Sequence, residues 1–129
     1  AAPEYIGNAA SSKCRFYCSE LQDWQPSKKY TVVWIQWVLC YLTDADIVIC
    51  LRRCGESLVP GGVVILKENC CQDETFCVDV DDASVTRSLP YWQDLIYQAG
   101  LRIVRQTWQE DFPEDIFPVP MLALRPRQR

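Results

Sequence analysis

Three groups of side chains are of types that do chemistry, and they stand where buried segments run out. Gln36 and Trp37 follow the β-branched residues Val32, Val33 and Ile35, which suit a strand covered on both faces. Glu68 and Asn69 follow the apolar run of residues 63–66. Asp79, Asp81, Asp82 and Ser84 lie in the polar stretch beyond. In open α/β sheets, ligands sit just past the carboxyl ends of strands, so two parallel neighbouring strands would bring all three groups to one edge. The set suits a cation or an amine. Carboxylates pair with ammonium groups, aromatic faces attract cations and stack on flat apolar groups, and amides orient polar atoms. No nucleophile–base pair or phosphate cradle is visible: there is no Gly-x-Ser-x-Gly, no P-loop and no histidine. Plainer alternatives stay open for both halves of this reading. Gln36 also fits an ordinary core strand with one polar exit residue, and the aspartates also fit a solvated charge run.

At 129 residues and 49% apolar content, the chain is long enough for one core and reads as one domain or part of one. It carries 13 basic and 17 acidic side chains, a net charge of −4. Nucleic-acid binding is not indicated, since that footprint is basic; an acidic surface better matches a basic partner. No apolar run approaches the ~18 residues of a membrane span, so no membrane partner is expected. The opening Ala1-Ala2-Pro3-Glu4-Tyr5 lacks both the basic region and the apolar core of a secretory signal. It also lacks an initiator methionine, and the start reads as the interior of a longer polypeptide.

The chain has eight cysteines. Cys70 and Cys71 are adjacent, Cys50 and Cys54 fall one helical turn apart, and no CxxC pair exists. Zinc sites use closely spaced thiolates, often with imidazole, so no metal is expected. The thiols read as reduced, small buried hydrophobes of an intracellular protein.

The elements that must position these groups alternate, which points to α/β architecture. Residues 1–10 read as the end of a helix and residues 14–19 as a short strand. Residues 21–24 form a loop closed by Pro26, and the central strand spans residues 30–37. Thr43 is a helix cap, and Asp44 and Asp46 favour the positive end of the helix dipole. The helix should run to Ser57, with Ile47, Cys50, Leu51, Cys54 and Leu58 toward the sheet. Arg52 and Arg53 suit its negative end. Pro60-Gly61-Gly62 reads as a turn before a buried strand over residues 63–66, and residues 70–88 as a polar, acidic loop. Residues 89–99 predict a helix ended by Gly100. Residues 101–107 predict a strand. The loop Asp111-Phe112-Pro113-Glu114-Asp115 leads to a last strand over residues 119–124, whose start Pro118 and Pro120 mark as an edge. Residues 125–129 read as a basic, mobile tail.

Several blocks resemble the eukaryotic protein α-N-terminal methyltransferases, in order and with nearly matching spacing. They are Trp34-Ile35-Gln36-Trp37, Leu42-Thr43-Asp44, Leu51-Arg52-Arg53-Cys54, Lys67-Glu68-Asn69, Asp82 with Ser84-Val85, and Phe112-Pro113-Glu114-Asp115-Ile116. The resemblance covers residues 14–125. It implies a Rossmann-like class I methyltransferase sheet and S-adenosylmethionine as cofactor. The implied substrates are proteins beginning Xaa-Pro-Lys, in nucleus and cytoplasm. Carried over by resemblance, Leu21 and Gln22 would lie by the adenine and Gln36 would contact the cofactor. Trp37 would stack on the substrate proline and Asn69 would hold the N-terminal end. Asp79 and Asp82 would face the substrate lysine and amine, with Ser84 beside them and Asp82 as general base. Asp115 would add negative charge near the peptide.

The chain departs from the family pattern in four places. Tyr41 stands where the family usually has histidine, Phe117 where it has tyrosine, and Glu68 where it has aspartate. The glycine-rich loop that cradles the cofactor, with its following acidic residue, is not found, and Gly61-Gly62 cannot stand in for it. The sheet is therefore expected to be incomplete: a C-terminal half, with a gap of about two strand spacings, ~10 Å, and an open edge on the strand at Tyr30. Such a chain is expected to bind S-adenosylmethionine weakly or not at all. Two rival readings stand beside this one. One is a non-catalytic protein that binds N-terminal peptides or a partner, and the other is a related methyltransferase acting on a small amine.

Overall fold

The structure, a computed structural model, describes residues 2–128; Ala1 of the expected first helix and Arg129 of the expected tail lie outside the described residues. Two short helices, α1 (Ala2–Ile6) and α2 (Asn8–Ser11), are separated by Gly7 at φ 77°. The strand expected over residues 14–19 does not form, and the segment is irregular and exposed. A strand needs a hydrogen-bonding neighbour, and no strand of the sheet pairs with it. Next come β1 (Tyr30–Gln36), a single 3-10 turn (Leu39–Tyr41) and α3 (Asp44–Glu56). Thr43 caps α3 as expected, its hydroxyl accepting the Asp46 N–H at 3.2 Å.

β2 (Leu58–Lys67) contains the residues expected to form a turn. Tyr30 pairs with Leu58 and Val32 with Val63, so residues 59–62 stand opposite Thr31 alone. The glycines bend the strand outward without ending it. Gly61 takes φ 80°, and a Cβ on Gly62 would lie 3.0–3.1 Å from the Val59, Thr31 and Tyr30 carbonyl oxygens. The expected acidic loop over residues 70–88 is instead a small sheet of β3 (Cys70–Cys71), β4 (Phe76–Asp79) and β5 (Ser84–Ser88). β5 lies in the middle, parallel to β3 and antiparallel to β4. Its acidic content obscured a hairpin, in which Phe76 to Val78 and Val85 to Thr86 flank a turn with Ala83 at φ 57°.

α4 (Leu89–Gln98) is capped by Ser88 and followed by Gly100 at φ 81°. β6 (Leu101–Trp108) and β7 (Pro120–Pro126) complete the main sheet, whose order is β1-β2-β7-β6. β1 and β2 are parallel, and β7 is antiparallel to both its neighbours. β7 is thus interior, not the edge its prolines suggested. Pro120 is tolerated because it is the first residue of the strand. The expected tail is tied down at Arg127, whose N–H donates to the Gly100 carbonyl at 2.9 Å.

One face of the main sheet carries the core. Ile35, Val64, Leu66, Leu122 and Leu124 pack against Ile47, Leu51 and Cys54 of α3 and Trp92 and Ile96 of α4. Burying a Leu-sized side chain stabilises by roughly 1.5–3 kcal/mol, so this layer fixes the sheet to its helices. The other face is open: Val32 and Trp34 are 51% and 56% exposed. β1 is therefore an edge strand covered on one face only, not on both. Arg87, 3% exposed, anchors the small sheet to α3. Its guanidinium donates to Asp44 Oδ1 at 2.9 Å and to the Leu42 carbonyl at 3.1 Å. No helix of the described residues is long and apolar enough to cross a membrane.

Hydrogen exchange checks this topology. The amides of Leu122 and Leu124 should exchange at the rate of global unfolding, and the β1 amides that point away from β2 much faster. Fast exchange throughout β7 would place it at an edge after all.

Candidate functional site

The exits of β1 and β2 lie side by side because the strands are parallel, with Gln36 in register with Lys67. One carboxylate shapes the turn beyond β1. Glu68 Oε1 accepts the N–H groups of Val38 and Leu39, both at 2.9 Å, and Glu68 is 2% exposed. The Trp37 N–H donates to the Lys67 carbonyl at 3.0 Å. Between these bonds Trp37 is held at φ 48°, in the left-handed region, which costs a non-glycine residue about 1–2 kcal/mol. Burial pushes the Glu68 carboxyl above its ordinary pKa, while the two N–H donors and the Arg87 charge pull it back.

Turned out in this way, Trp37 stacks on Phe112 of the β6–β7 loop, ring centres 6.4 Å apart and planes at 30°. The Lys67 ammonium lies 5.3 Å from the Trp37 ring centre and 5.6 Å from that of Phe112, and donates to Gln109 Oε1 at 2.9 Å. Trp37 is still 43% exposed, so its ring remains available to a ligand.

The acidic arm comes from the β4–β5 turn. Asp82 Oδ1 accepts the Ser84 N–H at 3.0 Å, and Asp79 Oδ1 the Asp81 N–H at 2.9 Å, which fixes both carboxylates. The Tyr41 hydroxyl, carried by the 3-10 turn, donates to Asp82 Oδ2 at 3.5 Å. Asp82, then Cys40, raise the Tyr41 phenol above its usual pKa. Burial, with Glu68 behind it, pushes the Cys40 thiol up to about 11, so that thiol is no nucleophile at neutral pH.

On the other side of Gln36, a cavity of about 650 Å³ runs along β1 and α3. Leu21 and Gln36 line it, as do Trp24, Val33, Ile35 and Val38. The Trp34 indole N–H donates to Gln36 Oε1 at 3.0 Å, which leaves the Gln36 amide nitrogen as a donor. Gln22 meets the structure through its backbone carbonyl, which accepts from Arg53 at 2.6 Å.

The structure joins Tyr41 to Asp82 and pairs Asp79 with Ser84, while Gln36 and Trp37 stand at the exit of β1 and Asn69 is half-buried after β2. Asp115 and Phe117 sit exposed in the β6–β7 loop. Among the described residues no hydrogen bond or ring contact joins either to Tyr41 or Asp82. Sequence reasoning gave no role to Phe112, Lys67, Gln109 or the Glu68 clamp. Phe112, Lys67 and Glu68 stood in matching blocks, and Glu68 also stood at a polar strand exit; Gln109 carried no signal. The arrangement offers an aromatic wall, a flanking pair of carboxylates for a cationic amine, and an apolar cavity beyond one amide.

The family profile described as AdoMet dependent proline di-methyltransferase matches residues 1–125. The chain is 41% identical over 125 residues to N-terminal Xaa-Pro-Lys N-methyltransferase 1 of Danio rerio, covering 96% of this chain and 56% of that protein. It is 38% identical over 133 residues to alpha N-terminal protein methyltransferase 1 of Drosophila melanogaster, covering 92% and 48%. The chain therefore spans about half the length of the curated relatives it matches. A SAM-dependent methyltransferase from Leishmania major superposes with a TM-score of 0.77 at 39% identity, over 83% of this chain and 43% of that one. The O-methyltransferase NcsB1 shares the fold at 21% identity, with a TM-score of 0.70 over 96% and 37%.

Two measurements check the electrostatics. Because the folded pKa of Glu68 is raised, its contribution to stability is full below the unfolded value and is lost as pH rises through the folded value. Glu68→Gln does not titrate, so the melting temperature of the variant relative to wild type should climb between pH 4 and 7. A difference of ~1 kcal/mol moves Tm by roughly 3–6 °C in a domain of this size. A flat difference would mean that the carboxyl is not desolvated. Asp82→Asn should lower the Tyr41 phenol toward its ordinary value, read by tyrosinate absorbance; no change would separate the two residues.

Proposed function

The chain belongs to the AdoMet-dependent proline di-methyltransferase family, and on that premise we propose that it takes part in methyl transfer to the α-amino group of proteins beginning Xaa-Pro-Lys. The observation that carries this reading is the exposed aromatic face of Trp37, turned out of its strand and stacked on Phe112, with the Tyr41–Asp82 pair carried by the turn that follows. A proline ring is flat and apolar and suits Trp37, while the amine before it and the lysine after it suit carboxylates.

S-adenosylmethionine, when bound, supplies an electrophilic methyl group; every other task falls to side chains of the protein. The cavity beside Gln36 fits the adenine end, since its lining is mostly apolar, with Gln36, Ser19 and Tyr17 as polar groups. An α-amine has pKa ~7.7–8.0, so it needs to lose one proton to present its lone pair, and only a modest push is required. Asp82 takes that proton as general base. Tyr41, which donates to the same carboxylate, keeps it oriented and stands where relatives carry a stronger base. Asn69 orients the substrate N-terminus, and Asp79 faces the substrate lysine. An exposed pair of that kind contributes ~0.2–1 kcal/mol, a preference for lysine and not a requirement. Positioning supplies the rest.

A second reading, binding of such N-termini without transfer, is favoured by the free edge of β1 among the described residues, which leaves the cavity along it open to solvent. Calorimetry and a transfer assay on the same chain distinguish them. A free-amine Xaa-Pro-Lys peptide should bind at least about tenfold (~1.4 kcal/mol) more tightly than its N-acetylated form. Trp37→Ala should abolish that binding. Equal affinity for the acetylated peptide would overturn both readings. Binding with no methyl transfer in the presence of S-adenosylmethionine would leave the second.

A further inference from the structure

The thiols of Cys50 and Cys54 have no task in the reading above. They are one turn apart on α3, 3% and 1% exposed, and both border the cavity that Gln36 and Trp24 line. That cavity is therefore their route to solution, wide enough for a small reagent. Four helical residues rise about 6 Å, within the ~4.4–6.8 Å Cα separation that disulfides span. Their Cβ atoms, at helical spacing of about 5–6 Å, must close by ~1–2 Å to form a bridge. The closure would fall in the last turns of the helix. Gly55 follows Cys54 directly and α3 ends at Glu56.

Their surroundings distinguish five of the thiols. A hydrogen bond from Cys54 lowers the Cys50 thiol below its usual pKa, and Arg53 assists, while Cys50 raises Cys54. The pair thus sets two interacting thiols side by side on one cavity wall, the proximity that attack and resolution require. Cys40, Cys70 and Cys77 are each pushed up to about 11.

We propose that Cys50 and Cys54 form a dithiol in the cavity wall that a hydroperoxide oxidises to a reversible disulfide. The Cys50 thiolate attacks one peroxide oxygen and the O–O bond breaks. With hydrogen peroxide, the departing hydroxide takes a proton and leaves as water. Cys54 then attacks the Cys50 sulfenic sulfur, the S–S bond forms, the S–O bond breaks, and a second water leaves. Two thiols are oxidised and one peroxide is reduced to two waters. A bridge this short on a helix is strained and readily reduced. Its closure shifts α3 against the cavity. The consequence for cofactor binding rests on the function proposed above; the bridge itself does not.

The test treats the 129-residue chain with equimolar hydrogen peroxide, blocks free thiols with N-ethylmaleimide and maps the products by mass spectrometry. Arg52 and Arg53 lie between the two cysteines, so trypsin separates them and a bridge joins two peptides. The expected product is that joined pair, lost on dithiothreitol treatment, absent in Cys50→Ser and in Cys54→Ser, and retained in Cys40→Ser. Closure should also change tryptophan emission, because Trp24 and Trp34 line the cavity. The proposal is overturned if both thiols remain open to N-ethylmaleimide while Cys14 or Cys18 oxidises. It is equally overturned if Cys50 oxidises past the sulfenic acid at the same rate with and without Cys54. A bridged chain that binds no S-adenosylhomocysteine in either redox state would support the dithiol and count against the cofactor reading alone.

Discussion

Glu68 accepts two backbone N–H groups from the turn after β1, and it does so from a buried position at the end of β2. Those donors would otherwise be unpaired at the start of a 3-10 turn, where Leu39 is fully buried. Meeting them requires an acceptor with two lone pairs aimed across the strand gap, and a carboxylate on a parallel neighbour provides it. The consequences spread outward. Trp37 is forced into a left-handed backbone and out of the sheet. The turn that carries Tyr41 starts at a fixed angle, so its hydroxyl reaches Asp82. Arg87 stands behind the same carboxylate as its nearest favourable charge, and also fixes the β4–β5 hairpin to α3. Both sides of the site are therefore referred to one buried group.

This dependence explains which parts of the fold were legible in the sequence. Thr43 with Asp46, and Ser88 with Gly100, are local signals: a hydroxyl cap and a left-handed glycine act within one turn, so both helices begin and end as expected. The polar exits Gln36 and Glu68 were legible because a buried strand has no use for an amide or a carboxylate. What failed was non-local. Pro60-Gly61-Gly62 has every property of a turn, yet β1 draws the chain on both sides of it into one strand. Pro120 marks an edge only if a second neighbour is missing, and β2 supplies that neighbour through Met121 onward. The hairpin of residues 76–88 was hidden by its aspartates, which sit at its turn while Ser84 and Thr86 are buried. The aromatic partner Phe112 lies 75 positions from Trp37, and no pattern along the chain links them.

The open face of the sheet qualifies how much rigidity the site inherits. Apolar burial holds β2 and β7 on both edges and on one face, whereas β1 is held by β2 on one edge and by Ile35 and Val33 below. The segment that carries Gln36 and Trp37 is thus the least supported strand of the sheet at the point where geometry matters most. The clamp compensates by adding three hydrogen bonds from main-chain N–H groups just beyond the end of β1, one to the Lys67 carbonyl and two to the Glu68 carboxylate at the end of the better-supported strand. Loss of the β1 edge to fraying would leave the Trp37 position nearly unchanged, because those bonds lie past the strand.

The site is also divided electrically. The Lys67 ammonium, held by Gln109, lies against the Trp37 ring, whereas the Tyr41–Asp82 pair is carried by the 3-10 turn and the β4–β5 turn. A cationic amine set against the indole would be drawn toward the carboxylate and turned from the lysine. Charges this exposed discriminate by only ~0.2–1 kcal/mol, too little to align a small group on their own. Alignment has to come from shape, and the shape is the angle of the Trp37 ring, fixed by Phe112 on one side and by its backbone on the other. Charge then selects between two orientations that the aromatic wall has already limited. The order of dependence runs from a buried carboxylate to a backbone angle, from that angle to a ring, and only from the ring to the surface charges.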